Sequence, residues 1–222
     1  MIQGLIQKEW IKTRWAILAL YLLGLAVVGY DILTIQRVIN LKGAAHLWEI
    51  LLTKDVIFLS AVQFQPLLTG AALAAIQFVP EMMQKRLKLT LHLPMSGACI
   101  TFTMLSYGLL SMLLLIIVQY LVLFFYLHSV LAPELVEHLL VSVAPWFMAG
   151  LLAYGWTSLI VLEPTWRRRV VYLLMGYGLL RVFFVTEIPR AYQDTLLPLL
   201  LITLLLCYFS FLSINRFKEG KQ

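Results

Sequence analysis

The sequence predicts an all-α membrane protein with six transmembrane helices. The first indication is composition, because 62% of the 222 residues are hydrophobic, only 13% are charged, and the mean hydropathy is +0.90. The second is the arrangement of the apolar residues in six runs, since about 20 apolar residues cross a hydrocarbon layer of about 30 Å. The third is the collection of charges between these runs. No linker or repeat divides the sequence, so we expect one transmembrane domain over residues 1–222.

Residues 1–14, MIQGLIQKEWIKTR, predict a helix that lies in the membrane interface. Ile2, Leu5 and Ile6 belong to one apolar helical face, whereas Lys8 and Lys12 lie elsewhere on the helix. This pattern is typical of an amphipathic helix at the level of the headgroups that turns into the first transmembrane segment. A positively charged anchor that assists insertion is the simpler alternative. The segment lacks the features of a cleavable signal peptide.

The six apolar runs follow in order, and polar residues separate them. They cover residues 15–30, 56–79, 98–127, 139–162, 170–186 and 196–214. The first run is short, so we expect its helix to extend to about residue 33. In the fifth, Arg181, Glu187, Pro189 and Arg190 interrupt the apolar pattern. Because non-helical backbone at membrane depth must be buried in protein or line water, this break predicts a re-entrant hairpin or a helix that ends below the outer surface.

The most informative polar segment is 80–94, PEMMQKRLKLTLHLP, between the second and third runs. In helical geometry, Glu81, Lys85 and Lys88 share one stripe, and the opposite stripe is apolar. An acid in the first turn followed by bases agrees with the helix dipole. Pro80 suits a first turn, and Pro94 ends the helix. The segment therefore predicts a stiff amphipathic helix on the membrane face.

Basic residues predict the orientation, because Lys and Arg accumulate on the cytoplasmic side of short loops. Four segments that would share one side hold 12 of the 17 basic residues: the N-terminus, the 80–97 loop, the 163–169 loop and the C-terminal tail. Both termini are therefore expected in the cytoplasm. The net charge of +6 is interpreted as an orientation signal, and nucleic-acid binding is not expected. The cluster Arg167, Arg168 and Arg169 is interpreted first as a juxtamembrane anchor to membrane lipids.

Catalytic and metal-binding patterns are almost absent from the sequence. The four histidines are scattered, and HExxH, GxxxxGK[ST] and GxSxG do not occur. We therefore expect neither ATP hydrolysis by this chain nor a cofactor or metal within it. Two histidines and two glutamates share one predicted outer loop, where a solvated face is favoured over a metal site. Cys99 and Cys207 form no CxxC pattern and are predicted to be packing residues.

Polar side chains within the apolar runs are a stronger indication of a functional interior. Such residues are costly in lipid and tend to face the inside of the bundle. The candidates are Gln63, Gln65, Gln77, Gln119 and Arg181. Hydrogen bonding between helices is the favoured interpretation of these residues, and a substrate path is the alternative.

Several of these features together resemble the permease subunits of ABC exporters of the ABC-2 type. The shared features are an N-terminal segment with KEW and KTR, six spans with both ends inside, and the loop between the second and third spans. In that loop, Glu81 follows the second span, and a leucine-rich stretch ends in Leu93-Pro94-Met95-Ser96 before the third. The resemblance covers essentially the whole chain in architecture and few positions in sequence.

The resemblance implies a non-catalytic permease subunit of an ATP-driven exporter in the bacterial cytoplasmic (inner) membrane. Such a subunit forms a homodimer or heterodimer and docks on two copies of a separate ATP-binding subunit, which holds ATP and Mg. Residues 80–94 would be the coupling helix and residues 1–14 the elbow helix. The implied ATPase contacts are Glu81, Lys85, Arg86 and Lys88, with Arg167, Arg168 and Arg169 as a possible second contact. The implied translocation path or gate comprises Gln63, Gln65, Arg181, Glu187 and Arg190.

Three other classes of protein are considered at the level of sequence, and the second of them fails on its residues. A secondary transporter or substrate-capturing membrane module would place ionisable residues in the middle of several spans, where only Arg181 is a candidate. Glu81 and Arg86 faintly suggest an intramembrane protease, but the paired glutamates and helical histidines of that group are missing. A membrane scaffold has no residue signature that would separate it from a permease. The substrate of an exporter, whether peptide, lipid or drug-like, leaves equally little signature.

Overall fold

The computed structural model describes residues 2–42, 59–83, 96–186, 188–207, 209 and 210. These residues are almost entirely helical and include no β-strand, which confirms the all-α prediction. The α-helices among them are α1 (Ile2–Lys42), α2 (Gln65–Met83), α3 (Gly97–Val130), α4 (Pro133–Leu162), α5 (Trp166–Arg181) and α6 (Leu196–Cys207). Two 3-10 helices, η1 (Val182–Phe184) and η2 (Gln193–Thr195), lie between α5 and α6.

Four of these helices, α1 to α4, are long and apolar enough to span a membrane. They correspond to the first four apolar runs of the sequence. Helix α5 has 16 residues and α6 has 12 within the described part of the chain, fewer than the roughly 20 needed for a crossing. The four long apolar helices indicate a membrane-embedded protein, and the prediction of six spans is not confirmed. The end of the sixth predicted run, residues 211–214, lies outside the described residues.

Helix α1 is much longer than the sequence predicts. It runs without a break over 41 residues, which corresponds to about 60 Å of helix. The turn expected after residue 14 is not seen, so a separate elbow helix is not confirmed. The physical reason is continuous packing, because the buried side chains of Leu5, Glu9, Thr13 and Ile17 follow one another at intervals of four residues. A turn after residue 14 would remove part of this stripe from its partners on α2 and α3.

At its other end, α1 continues past the expected limit near residue 33. Ile35 is fully buried, and Val38 and Ile39 pack against the apolar cluster that contains Leu123 and Leu127 of α3. Because these residues add to one face of the same helix, the chain gains buried apolar area by remaining helical. The sequence predicted an end of this helix at about residue 33.

Helix α4 is the centre of the bundle and packs against α2, α3, α5 and α6. Its closest neighbour is α2, where two glycines face each other. A Cβ atom on Gly70 would clash with the carbonyl oxygen of Gly150, and a Cβ atom on Gly150 would lie 2.7 Å from the carbonyl oxygen of Pro66. Small residues allow the backbones of membrane helices to approach this closely.

Contacts between distant residues show which helix ends lie together. Near the start of α1, Lys8 contacts Glu81 at the end of α2. Toward the other end of α1, Asp31 accepts hydrogen bonds from the backbone N–H groups of Ala61 and Val62 before α2 begins. We call the first of these the basic end, because of the basic side chains that lie there: Lys8, Lys12, Arg14, Arg167, Arg168 and Arg169.

The predicted start of a new helix at Pro80 is not seen. Pro80 lies inside α2, which continues to Met83. Proline inside a membrane helix is tolerated when neighbouring groups stabilise the local backbone, and the next residue, Glu81, is bound to α1. Residues 84–94 of the predicted coupling helix lie outside the described residues.

The break predicted in the fifth apolar run is confirmed. Helix α5 ends at Arg181, and η1 follows directly. The chain then takes an irregular course before α6, with Arg190 at a φ of 60°. Tyr192 closes this segment locally, since its hydroxyl donates to the carbonyl oxygen of Val182 at 2.7 Å.

Candidate coupling site at the basic end of the bundle

A buried charge cluster joins the end of α2 to the start of α1. We define it as Lys8, Glu9, Lys12 and Glu81. Oε1 of Glu81 lies 3.0 Å from Nζ of Lys8 and 3.0 Å from Nζ of Lys12. Lys12 also lies 2.8 Å from Oε2 of Glu9. Two lysines from α1 therefore hold a carboxylate from the last turn of α2.

A hydrogen-bond chain continues from this cluster into the bundle. Nε2 of Gln77 donates to Oε2 of Glu9 at 3.2 Å and to the carbonyl oxygen of Met104 at 2.8 Å. The hydroxyl of Tyr154 donates to Oε1 of Gln77 at 2.8 Å and lies 3.3 Å from the carbonyl oxygen of Leu105. All four membrane-spanning helices thus meet in one polar network at the basic end.

The charges of the cluster balance, which makes its burial physically reasonable. Glu9 and Glu81 are fully buried, and the two lysines are partly exposed, Lys12 at 14% and Lys8 at 35% of the side chain. Buried charges persist when they are paired, and removal of one partner typically costs about 3–5 kcal/mol. Among the described residues, no group of three His, Cys, Asp or Glu side chains could hold a metal ion. The balanced ion pairs link the start of α1 to the end of α2.

Of the predicted ATPase-contact residues of the 80–94 segment, Glu81 belongs to the described part of the chain. Glu81 is buried and bound to α1, so its carboxylate is not on the surface in this structure. Lys85, Arg86 and Lys88 lie outside the described residues. Their contact with an ATP-binding subunit stays a prediction.

The predicted second contact is arranged around Glu163, a fully buried residue at the end of α4. Nη1 of Arg168 lies 3.8 Å from Oε1 of Glu163. Nε of Arg169 donates to the carbonyl oxygen of Glu163 at 2.7 Å. Arg167 is exposed. The cluster therefore lies at the surface and is anchored on one side to α4.

Two of the predicted interior glutamines come together in the bundle. Gln65 and Gln119 both lie against Gly24 of α1, where a Cβ atom would be 3.0 Å from Nε2 of Gln65 and would clash with Nε2 of Gln119. Nε2 of Gln65 donates to Thr69 at 2.9 Å. Gln119 is 1% exposed, and neither atom of its amide has a hydrogen-bond partner in the described part of the chain. The glycine provides the space that these two side chains occupy.

The remaining predicted path residues do not join this pair. Gln63 is half-buried in the turn before α2. Arg181 is exposed and lies over the ring of Tyr177 on its own helix, with 5.9 Å from Cζ to the ring centroid. Arg181 therefore does not lie inside the bundle of this chain, because α5 is peripheral and its only buried residue is Gly176. Its place in a path between two copies of the chain stays a prediction. Glu187 lies outside the described residues.

Arg190 joins the segment after α5 to the beginning of α4. Its Nη2 donates to Oε1 of Glu137 at 2.8 Å, and its backbone N–H donates to Oγ of Ser142 at 3.0 Å. The left-handed backbone at Arg190 is uncommon for a residue with a side chain, and these two bonds hold it in place. Arg190 is thus a fixed part of the end opposite the charge cluster.

Sequence reasoning did not identify Glu9 and Tyr154 as parts of the site. A signal for Glu9 was present, since Leu5, Glu9, Thr13 and Ile17 recur every four residues and mark one continuous helical face. An acid on such a face requires a buried basic partner. Tyr154 carries no comparable signal, because its role depends on the position of Gln77 on another helix.

Comparisons with known proteins found no counterpart for this chain. No protein-family model matches it, and no curated protein or solved structure matches it either. The geometry of the basic end and the sequence features are therefore the basis of the functional proposal.

Proposed function

We propose that this chain is the permease subunit of an ATP-driven exporter of the ABC-2 type. It would be a non-catalytic membrane subunit of the bacterial cytoplasmic membrane, and two permease subunits, identical or different, would enclose the translocation path. A pair of separate ATP-binding subunits would hold ATP and Mg and perform hydrolysis. The substrate class, peptide, lipid or drug-like, is left open.

The observation that carries the proposal is the ion pairing of Glu81 with Lys8 and Lys12. Residues 84–94, the part of the predicted coupling helix 80–94 beyond α2, follow Met83 in the chain, and the last turn of α2 is bound to α1. A partner that displaces residues 84–94 would therefore act on two membrane-spanning helices together. Without the bond between the last turn of α2 and α1, the displacement would act on α2 alone.

The network offers a physical route for such a displacement into the bundle. From the end of α2, motion would pass to α1 through the charge cluster and to α3 through the bond from Gln77 to Met104. It would pass to α4 through Tyr154 and through the close contact of Gly70 with Gly150. Packed interfaces tend to have discrete alternative arrangements, so a small shift at one end can move whole helices.

Charge supports placing the basic end in the cytoplasm. Lys8, Lys12 and Arg14 lie at this end together with the arginines that begin α5, and basic residues near transmembrane segments favour the cytoplasmic side. ATP-binding subunits are cytoplasmic, so the coupling segment would emerge on the side where they could bind it.

The docking surface can be tested by charge reversal. The triple variant Lys85→Glu, Arg86→Glu and Lys88→Glu would be co-expressed with the ATP-binding subunit encoded by a neighbouring gene. We expect the variant to insert normally and to lose co-purification with that subunit, because like charges would replace complementary ones across the contact. Stimulation of ATP hydrolysis by the permease should disappear with it.

The matched control is Arg37→Glu, which reverses an exposed charge at the far end of α1. It should co-purify as well as the unmodified chain. Co-purification and stimulation of the triple variant at the unmodified level would refute the docking assignment. The absence of any neighbouring gene for an ATP-binding subunit would also count against the proposal.

A further inference from the structure

An apolar groove of about 540 Å³ opens at the basic end, where α2, α4 and α5 meet. Trp166 and Arg169 lie at the start of α5 and line one part of it. Apolar side chains from all three helices line the rest, among them Val79, Met82, Val161 and Leu173. The groove thus combines a long apolar wall with a cation and an indole ring.

Positive charge lies beside this groove, because Arg169 lines it and Arg167 and Arg168 precede Arg169 on the same helical turn. Three arginines follow Trp166. Glu163 lies beside two of them, since its carboxylate is close to Arg168 and its carbonyl oxygen accepts a bond from Arg169. The bond from Arg169 to the carbonyl oxygen of Glu163 uses Nε, so its terminal Nη groups can donate to a ligand at the groove. Arg167 is exposed and has no ion-pair partner among the described residues. These cations also lie in the first turn of α5, where the helix dipole adds to the positive potential.

We propose that this groove binds an anionic phospholipid. One acyl chain would lie along the apolar wall, Arg169 would hold the phosphodiester, and Arg167 on the same helical turn would add to the positive potential. Guanidinium groups bind phosphate oxygens through paired charge-assisted hydrogen bonds. Trp166 is 73% exposed at the same level, as is typical of indole rings at the headgroup boundary.

The chemistry of the groove favours this occupant over others. A zwitterionic phospholipid has the same phosphodiester but would also bring a cation to the arginines, and a soluble phosphate would not use the apolar wall. Anionic lipids give the cytoplasmic leaflet a negative surface potential and attract basic juxtamembrane segments. The inference does not depend on the exporter assignment, because lipid binding is measured on the isolated chain.

The test compares two lipids that differ only in the headgroup. The purified full-length chain in detergent is titrated with dioleoyl-phosphatidylglycerol and with dioleoyl-phosphatidylcholine, and binding is followed by native mass spectrometry. We expect the anionic lipid to bind roughly tenfold more tightly, because each nearby arginine attracts its net negative charge by about 1 kcal/mol, whereas the choline cation of the other lipid cancels the charge of the same phosphodiester. Arg167→Gln should reduce this preference, and Arg167→Gln with Arg169→Gln should remove it.

A groove variant and a matched cation control complete the test. Leu173→Trp fills the apolar wall at a position that is 58% exposed, so it should weaken both lipids without disturbing the fold. Arg14→Gln removes another arginine of the basic end, one that lies 5.6 Å from the ring of exposed Trp15 and does not line this groove. It should leave the preference intact.

Three results would overturn the proposal. They are equal binding of the two lipids, a full preference in the double arginine variant, and competition by glycerol 1-phosphate as effective as that by the intact lipid. Should loss of the Arg169 bond to Glu163 prevent folding, Arg167→Gln and Leu173→Trp decide the question, because neither residue makes that bond.

Discussion

Buried glutamines in this protein fall into two energetic classes. Gln77 is fully buried, and its amide bonds Glu9, Met104 and Tyr154. Gln119 is equally buried, yet its amide has no partner within the described ranges. A buried polar group without a hydrogen bond costs about 1–3 kcal/mol. Two chemically identical side chains therefore act on stability in opposite directions.

We predict that Gln119→Leu stabilises the protein, by about 1–3 kcal/mol, because an apolar side chain of similar volume removes the unpaired amide. The measurement is the unfolding of the purified chain in mixed detergent with increasing SDS. Gln77→Leu is the matched control and should lower stability, since it leaves Glu9 and Tyr154 without their bonds. A destabilised Gln119→Leu variant would show that the amide is paired in the membrane.

The same residue bears on the predicted path. The unpaired amide of Gln119 lowers stability, and a polar path between the helices at Gly24 would explain why the position is polar. Under the proposed function, the stabilised Gln119→Leu variant would be less active in transport. That role stays a prediction.

At the scale of elements, the close contact between α2 and α4 depends on Gly70 and Gly150, which have no Cβ atom. Because a Cβ atom at Gly70 would meet backbone atoms of α4 rather than a flexible side chain, the helices would have to separate. Separation would also disturb Tyr154, one turn beyond Gly150, and thus the network at the basic end.

Gly70→Ala should therefore destabilise the protein by about 1–3 kcal/mol, the usual cost of overpacking. Gly29→Ala is the matched control on α1, where a Cβ atom would meet nothing within 4 Å. Alanine there should leave stability unchanged or raise it by about 0.5–1 kcal/mol, because alanine favours the helix. Both values come from the same SDS unfolding experiment. Equal stabilities of the two variants would contradict the close approach of α2 and α4.

The elements also show which parts of the fold the sequence predicts and which it does not. The third and fourth apolar runs became α3 and α4 with ends extended by a few residues, because long runs of apolar residues have few structural alternatives in lipid. The length of α1 was not predicted, since the continuity of its buried stripe from Leu5 to Ile35 depends on partners in other helices. The break after Arg181 was predicted, because its charges and Pro189 are local signals.

In the candidate site, too, the sequence predicts features with a local signal and misses features that depend on packing between helices. Glu81 was identified from its position in an amphipathic pattern, but its burial was not, since the pattern alone does not show that Lys8 and Lys12 lie within 3.0 Å. Gln65 and Gln119 were identified as interior residues by the cost of polar groups in lipid. Their meeting at Gly24 depends on helix packing, which one sequence does not define.

At the scale of the whole molecule, charge separates along the bundle. The basic end holds the charge cluster and the arginines of α5, and the opposite end holds Asp31, Glu137 and Arg190. Successive helices run in opposite directions between these ends, so one orientation in the membrane fixes the side of every loop. The asymmetry of basic residues predicts that the basic end faces the cytoplasm.

Helix α1 allows a direct test of this orientation with two positions on one element. Gln7 and Asn40 are both exposed and uncharged, and the step of 33 positions from one to the other corresponds to about 50 Å of helix. A bilayer including headgroups is about 40–45 Å thick, so the two positions should lie on opposite sides. We predict that Asn40→Cys reacts with a membrane-impermeant maleimide in intact cells, whereas Gln7→Cys reacts only after the cells are opened. The background would be Cys99→Ser with Cys207→Ala, and neither position carries a charge that could reverse the topology. Reaction of Gln7→Cys in intact cells would place the charge cluster outside the cell, where no ATP-binding subunit could reach the segment that follows α2. Labelling of both positions from one side would mean that α1 does not cross the membrane.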